Sequence, residues 1–238
     1  MKITACSVVS AVLCLGLATG ISARQSSDTK SDTKDEVEQS EKAARVFDEI
    51  MAAPDRAIPE NILDDARCVA VFPEVVKVAF GIGGSGGRGL ASCRTATDWS
   101  APAYLTLGGG SVGFQFGAES TDLVMLFMTE NSITRVIANK LELGADASVA
   151  AGPVGRQAGA STDLKLNAQI LSYSRSKGLF AGVALKGAVI RLSESDMRDV
   201  YGSGVLPKDV LSGSTVGASA ALVFPSSLAR HSSARASS

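Results

Sequence analysis

The sequence predicts an α+β fold: mainly antiparallel β in a barrel- or sandwich-like arrangement, with N-terminal helices and two or three short helices packed on it. Three observations carry this. From Cys68 onward, short β-prone runs alternate with glycine, which makes up 24 of 238 residues against a usual share of about 7%. Stretches with helical apolar spacing are few. The regular strand–helix alternation of a doubly wound sheet is missing. Composition fits one ordinary domain: 45% apolar, 20% charged, net charge −1. A disordered chain would be poorer in apolar residues and carry more net charge. A generic nucleic-acid binder would be strongly basic, so nucleic acid is not expected as a partner.

The N-terminus has the pattern of a secretory leader over residues 1–23. Lys2 is a minimal basic region, Ile3 to Ala18 is apolar, and Ile21-Ser22-Ala23 offers a small-residue cleavage site. The apolar run is shorter than the roughly 20 residues of a spanning helix. Export to a periplasmic or extracellular compartment is therefore expected. Residues 24–35 hold the unit Ser-Asp-Thr-Lys twice (Ser27–Lys30 and Ser31–Lys34) and read as a solvated spacer. A single domain is expected over residues 36–224.

Its first helix is predicted over Glu36–Ala53, where Val46, Phe47, Ile50 and Met51 complete a stripe begun at Val37, Ala43 and Ala44. Pro54 ends it. A short second helix is predicted from Pro59, with Ile62, Leu63 and Ala66 inward. Strands follow at 68–72, 75–82, 88–94, 102–108, 111–118 and 121–128. Residues 132–141 return to helical spacing through Ile133, Val136, Ile137 and Leu141, with Ser132 as cap. Strand texture resumes at 143–151, 164–174, 178–192 and 215–224. A helix between Ser193 and Tyr201-Gly202 interrupts it. The tail 225–238, rich in Ser, Ala and Arg, reads as mobile.

Of four cysteines, Cys6 and Cys14 fall in the leader, leaving Cys68 and Cys93. Two states are open to them. A disulfide, which persists in an exported protein, would stabilise the fold by about 3.5 kcal/mol in the chain-entropy model. The other state is a pair of buried thiols.

Catalytic motifs occur without their context. Gly81–Gly86 spells G-x-G-x-x-G but leads into another strand, not a helix whose amides could meet a pyrophosphate. Gly109-Gly110-Ser111-Val112-Gly113 and Gly83–Gly87 spell G-x-S-x-G, again without the helix that completes a nucleophile elbow. The single histidine, His231, lies in the polar tail. Ser174-Arg175-Ser176-Lys177 spells S-x-x-K, as do both spacer repeats, without companion motifs. Neither catalytic residues nor a metal or cofactor are expected.

One ordered set of blocks is more specific. Phe80-Gly81-Ile82-Gly83-Gly84-Ser85-Gly86-Gly87-Arg88-Gly89 precedes Trp99-Ser100-Ala101-Pro102. Next come Gly117, Thr121-Asp122, Leu143-Gly144-Ala145-Asp146-Ala147 and Ala151-Gly152-Pro153-Val154-Gly155-Arg156. Tyr173-Ser174-Arg175-Ser176-Lys177-Gly178-Leu179-Phe180-Ala181-Gly182 and Tyr201-Gly202 complete the series. In this order and spacing, over about residues 40–224, the chain resembles the SYLF domain family of lipid-binding and, in yeast, actin-binding modules. The resemblance implies a binding module rather than a catalyst. Eukaryotic relatives bind phosphoinositide membranes and carry an SH3 or FYVE domain beside this unit; the present chain looks like the stand-alone bacterial members. Anionic phospholipid at a membrane surface is the implied partner.

The residues suggest how such contact would be made. Val46, Phe47, Ile50 and Met51 would enter the acyl boundary while Lys42 and Arg45 sit near headgroups. The same stripe would also suit packing on the sheet, as amphipathic helices usually do. Arg88, Arg156, Arg175 and Lys177 flank glycine-rich turns and would form a headgroup site or remain solvated loop charges. A different class of function is a structural or protein-interaction role in the cell envelope, through a homo-oligomer or a protein partner, with actin binding implied by the family alone.

Overall fold

The computed structural model describes residues 28–53, 57–138, 140–154, 168–176, 179–182, 187–215, 217 and 219–232. The glycines that read as turns run instead through two long strands. β1 (Cys68–Cys93) and β2 (Ala103–Phe127) pair antiparallel from Cys68↔Phe127 to Ala91↔Ala103. Gly84 lies opposite Gly110 and Gly86 opposite Gly108. The six expected strands are thus two, because glycine weakens a strand without ending it when a partner strand supplies the ladder.

A straight strand of 26 residues would span roughly 85 Å, yet the ends of β1 touch. Cys68 and Cys93 are joined by a disulfide with their Cα atoms 3.9 Å apart, and the Arg94 N–H donates to the Arg67 carbonyl at 2.8 Å. The ribbon is therefore doubled back on itself. Register shifts at Phe72/Val75 and Phe80/Ile82 provide local bends. Gly89 lets the arms close: a Cβ there would lie 2.3 Å from the Phe72 ring and 2.6 Å from the Val71 carbonyl oxygen.

The remaining strands are β3 (Leu141–Glu142), β4 (Val149–Ala151), β5 (Ile170–Ser176), β6 (Leu179–Gly182) and β7 (Ala188–Leu192). The sheet of described strands runs β3-β7-β2-β5-β4, with β1 on β2 and β6 on β5. β7 pairs with the first part of β2 and β5 with its last part. All pairings are antiparallel except β4 with β5. The fold is α+β, mainly antiparallel, as expected; of the strand texture at 143–151 only β4 is a strand, and the described residues of 178–192 hold β6 and β7.

α1 (Asp28–Met51) begins within the stretch expected to be an unstructured spacer. Once the turns from Glu36 onward are anchored, adding further residues to the helix needs no new nucleus. Its stripe packs inward: Phe47 and Ile50 are fully buried and Val46 nearly so. α2 (Glu60–Asp65) buries Ile62 and Leu63 as expected. In α3 (Glu130–Ile137) the N-cap position is Thr129, not Ser132; the Ser132 hydroxyl donates back to the Thr129 carbonyl. α4 (Glu194–Tyr201) follows Ser193, and α5 (Pro207–Leu211) follows Leu206.

The C-terminal expectation is overturned. Residues 219–222 form a 3₁₀ turn and α6 (Val223–His231) is helical, where a strand and then a mobile tail were expected. Phe224 and Leu228, one turn apart, are fully buried, so an apolar stripe too short to stand out among Ser and Ala is sufficient to dock this helix. Residues 1–23 lie outside the described residues.

Candidate functional site

The two kinds of residue expected to meet lipid on α1 part company. Phe47 and Ile50 are fully buried, Val46 is buried and Met51 packs half-buried against the same core. The stripe therefore has no face left for an acyl boundary, and that expectation is corrected. Lys42 and Arg45 occupy the outer side of the helix and enter a cleft with Arg175 from β5. Arg88 is elsewhere. Arg156 and Lys177 lie outside the described residues.

The cleft has a volume of about 430 Å³. Three pieces of chain build it. α1 contributes Lys42, Arg45, Val46 and Glu49; the bulge between Phe72 and Val75 contributes Pro73 and Glu74; and the register pair Asp122↔Arg175 closes it. Glu74 sits at φ 53°, in the left-handed region, where a non-glycine residue is uncommon and marks a local constraint. Its N–H donates to Asp122 Oδ1 at 3.0 Å, and its carboxylate accepts from Lys42 Nζ at 3.3 Å. Lys42 also meets Glu38, one turn earlier, at 3.2 Å. Arg175 pairs with Asp122 through Nε at 2.9 Å and with Glu49 through its guanidinium.

Burial pushes the Asp122 carboxyl above its usual range, opposed by the Glu74 N–H and by the nearby Arg45 charge. Hydrogen bonds to Glu38 and Glu74 raise the Lys42 ammonium. Three cations thus face three carboxylates. Arg45 alone among the lining cations makes no ion pair among the described residues. Sequence reasoning missed Glu74 and Asp122. The gap in strand texture at Pro73-Glu74 was the available trace of the bulge.

Arg88 serves as a brace. Its guanidinium reaches Glu36 Oε1 at 2.7 Å and Asp196 Oδ2 at 2.9 Å, tying α1, β1 and α4 together. Glu36 is only 3% exposed, and burial raises its carboxyl, with the Arg88 hydrogen bond opposing. Tyr104 Oη donates to the Glu36 carbonyl at 3.3 Å. Arg88 does not line the cleft that gathers Lys42, Arg45 and Arg175.

On the other flank of α1 a groove of about 450 Å³ runs against α6, with Ala44, Ala52 and Val223 in its lining. Asp48 anchors α6 there. It accepts from Ser227 Oγ at 2.5 Å, pairs with Arg230 at 2.9 Å and meets His231 Nε2 at 2.9 Å. His231 is therefore not a solvated tail residue; its ring also meets Phe47 edge-on at 5.8 Å. Ser227 and His231 bond the same Asp48 oxygen, Oδ1. The imidazole is not interposed between hydroxyl and carboxylate, as a nucleophile relay needs. Among the described residues no His, Cys, Asp and Glu cluster suits a metal ion, and no helix is long and apolar enough to cross a membrane.

Comparison with known proteins agrees with the resemblance read from the sequence. Residues 108–229 match the family model described as Ysc84: Las17-binding protein actin regulator. The human SH3 domain-containing YSC84-like protein 1 is 32% identical over 184 residues, covering 76% of this chain and 54% of the relative. LAS seventeen-binding protein 3 of Saccharomyces cerevisiae is 32% identical over 185 residues, covering 74% of this chain and 40% of the relative. The chain thus spans about half or less of the length of these relatives. The family description names binding and actin regulation, and the yeast relative's name names binding.

Proposed function

Because the chain belongs to the Ysc84 family, also described by its SYLF domain, we propose that it is a non-catalytic module that binds anionic phospholipid through the cleft between α1 and the Glu74 bulge. One observation carries this reading. Lys42, Arg45 and Arg175, picked out as separate basic positions in the sequence, line a single cleft. Arg45 is exposed and makes no ion pair among the described residues. A phosphate would gain a charge-assisted contact from it. Lys42 and Arg175 are held in place by Glu74, Glu49 and Asp122, so the cationic wall is ordered before a ligand arrives. Contact runs through the charged outer side of α1, since its apolar stripe is already used by the core.

We place the protein outside the cytoplasm, at an envelope or membrane surface. The leader pattern of residues 1–23 and the Cys68–Cys93 bond support this, since disulfides persist in oxidising compartments. The test is flotation with vesicles of phosphatidylcholine alone and of phosphatidylcholine mixed with phosphatidylglycerol. Flotation with the mixed vesicles only is the expected result. Folded protein left at the bottom of both gradients would refute the reading. The second reading, a protein partner, is favoured by the family's description as actin regulators and Las17-binding proteins; it predicts a complex in sizing experiments and indifference to both vesicles.

A further inference from the structure

Two cavities meet on α1, and they differ in chemistry. The cleft by the Glu74 bulge is lined mainly by charge; the groove against α6 sets Ala44, Ala52 and Val223 among charged neighbours that include Glu41, Asp48 and Arg230. Arg45 and Glu49 line both, so the two spaces adjoin across one turn of helix. Each is an open surface depression, of about 430 Å³ and about 450 Å³ respectively. Val223 is 39% exposed, one of few large hydrophobic side chains left in solvent among the described residues.

The carboxylates around the junction are mostly engaged. Arg175 holds Glu49, and Ser227, Arg230 and His231 hold Asp48. Arg45 remains at the junction without an ion pair among the described residues. A ligand that satisfies both spaces therefore needs a negative head beside Arg45 and an apolar tail along the α1–α6 groove.

We infer that the two cavities together hold one molecule of an anionic single-chain amphiphile, its head at Arg45 and its alkyl chain between Ala52 and Val223. The inference rests on the lipid-binding reading and names the form of the lipid: a single molecule taken into a site, not a bilayer surface. The groove supplies apolar contact that a headgroup alone would not use, and Arg45 supplies contact that an uncharged amphiphile would not use.

The probe is dodecyl phosphate, kept below the concentration at which it forms micelles and titrated calorimetrically into the full chain. Inorganic phosphate and dodecyl maltoside serve as head-only and uncharged-head comparisons. Dodecyl phosphate binds, and each comparison binds at least about tenfold more weakly. Arg45→Gln and Ala52→Leu each weaken binding by about tenfold or more. Val223→Trp, filling the groove from the opposite wall, does the same. Ala52 and Val223 are exposed, so thermal melts matching wild type are expected; if one variant fails to fold, the other carries the test.

Absence of dodecyl phosphate binding, or binding that the folded variants leave unchanged, overturns the inference. Flotation on anionic vesicles without dodecyl phosphate binding overturns it while the module reading stands. Failure of both removes both.

Discussion

Cys68 and Cys93 are the first and last residues of one strand, and a disulfide joins them. The bond closes a doubled ribbon whose next contacts continue the clamp. Arg94 donates to the Leu63 and Ala66 carbonyls, pairs with Asp64, and stacks on Trp99 at 4.6 Å. Trp99 in turn donates its indole N–H to Ser232, just beyond α6. The strand closure, the α2 end and the C-terminal helix are thus joined through successive contacts.

Replacing both Cys68 and Cys93 with Ser is expected to cost about 3.5 kcal/mol by loss of the cross-link in the unfolded chain. For a chain of this size that lowers the melting temperature by about 7–14 °C. Thermal unfolding followed by Trp99 fluorescence checks it. An unchanged midpoint would show that the bond does not constrain the ribbon.

Glycines in the ribbon divide by what approaches them. Gly89→Ala drives a methyl into the Phe72 ring and the Val71 carbonyl and is expected to destabilise by about 1–3 kcal/mol or more. Gly108→Ala meets nothing within 4 Å and is expected to be neutral or to stabilise by up to about 1 kcal/mol. Urea unfolding of the two variants gives the comparison; equal effects would contradict the packed-arm geometry.

Two tyrosines, Tyr173 buried and Tyr201 partly buried, predict opposite responses. Tyr173 Oη is buried without a hydrogen-bond partner among the described residues, so Tyr173→Phe removes a desolvated hydroxyl and is expected to stabilise by about 1 kcal/mol. Tyr201 Oη donates to the Pro102 carbonyl at 2.6 Å, so Tyr201→Phe is expected to destabilise by about 1 kcal/mol. Chemical denaturation distinguishes them, and a loss of stability in Tyr173→Phe would show that its hydroxyl has a partner.

Glu36 and Asp122 both have carboxyls raised by burial. The folded state therefore holds these protons more tightly than the unfolded chain. Their contribution is fully present below the unfolded values, near 4.5 and 3.8, and is lost as pH rises through the raised folded values. Glu36→Gln removes its share. The fall in stability on going from mildly acid to neutral pH should be smaller in that variant than in wild type, measured by urea unfolding across the range. A larger fall in the variant would reverse the assigned direction.

Much of the fold was legible where a local period existed. Phe47 and Ile50 on α1, and Ile62 and Leu63 on α2, lie on helical stripes that the spacing revealed. The glycines were ambiguous, because a turn and a close approach between strands call for the same residue. The break at Pro73-Glu74 was visible, but local texture does not say whether the chain bends or bulges there. α6 was hidden because Phe224 and Leu228 make too short a stripe among small and polar residues. The cleft was legible only as separate basic positions. Nothing local joins Lys42 to Glu74 or Asp122 to Arg175; the doubled ribbon and the β2–β5 register do.

The claim that lipid meets the charged outer side of α1 is tested most directly by quantitative flotation of Arg45→Glu beside Lys208→Glu on phosphatidylglycerol-containing vesicles. Lys208 is exposed on α5 and does not line the cleft. Arg45→Glu should lose most of the bound fraction while Lys208→Glu floats like wild type. Equal flotation of Arg45→Glu and wild type would contradict the claim.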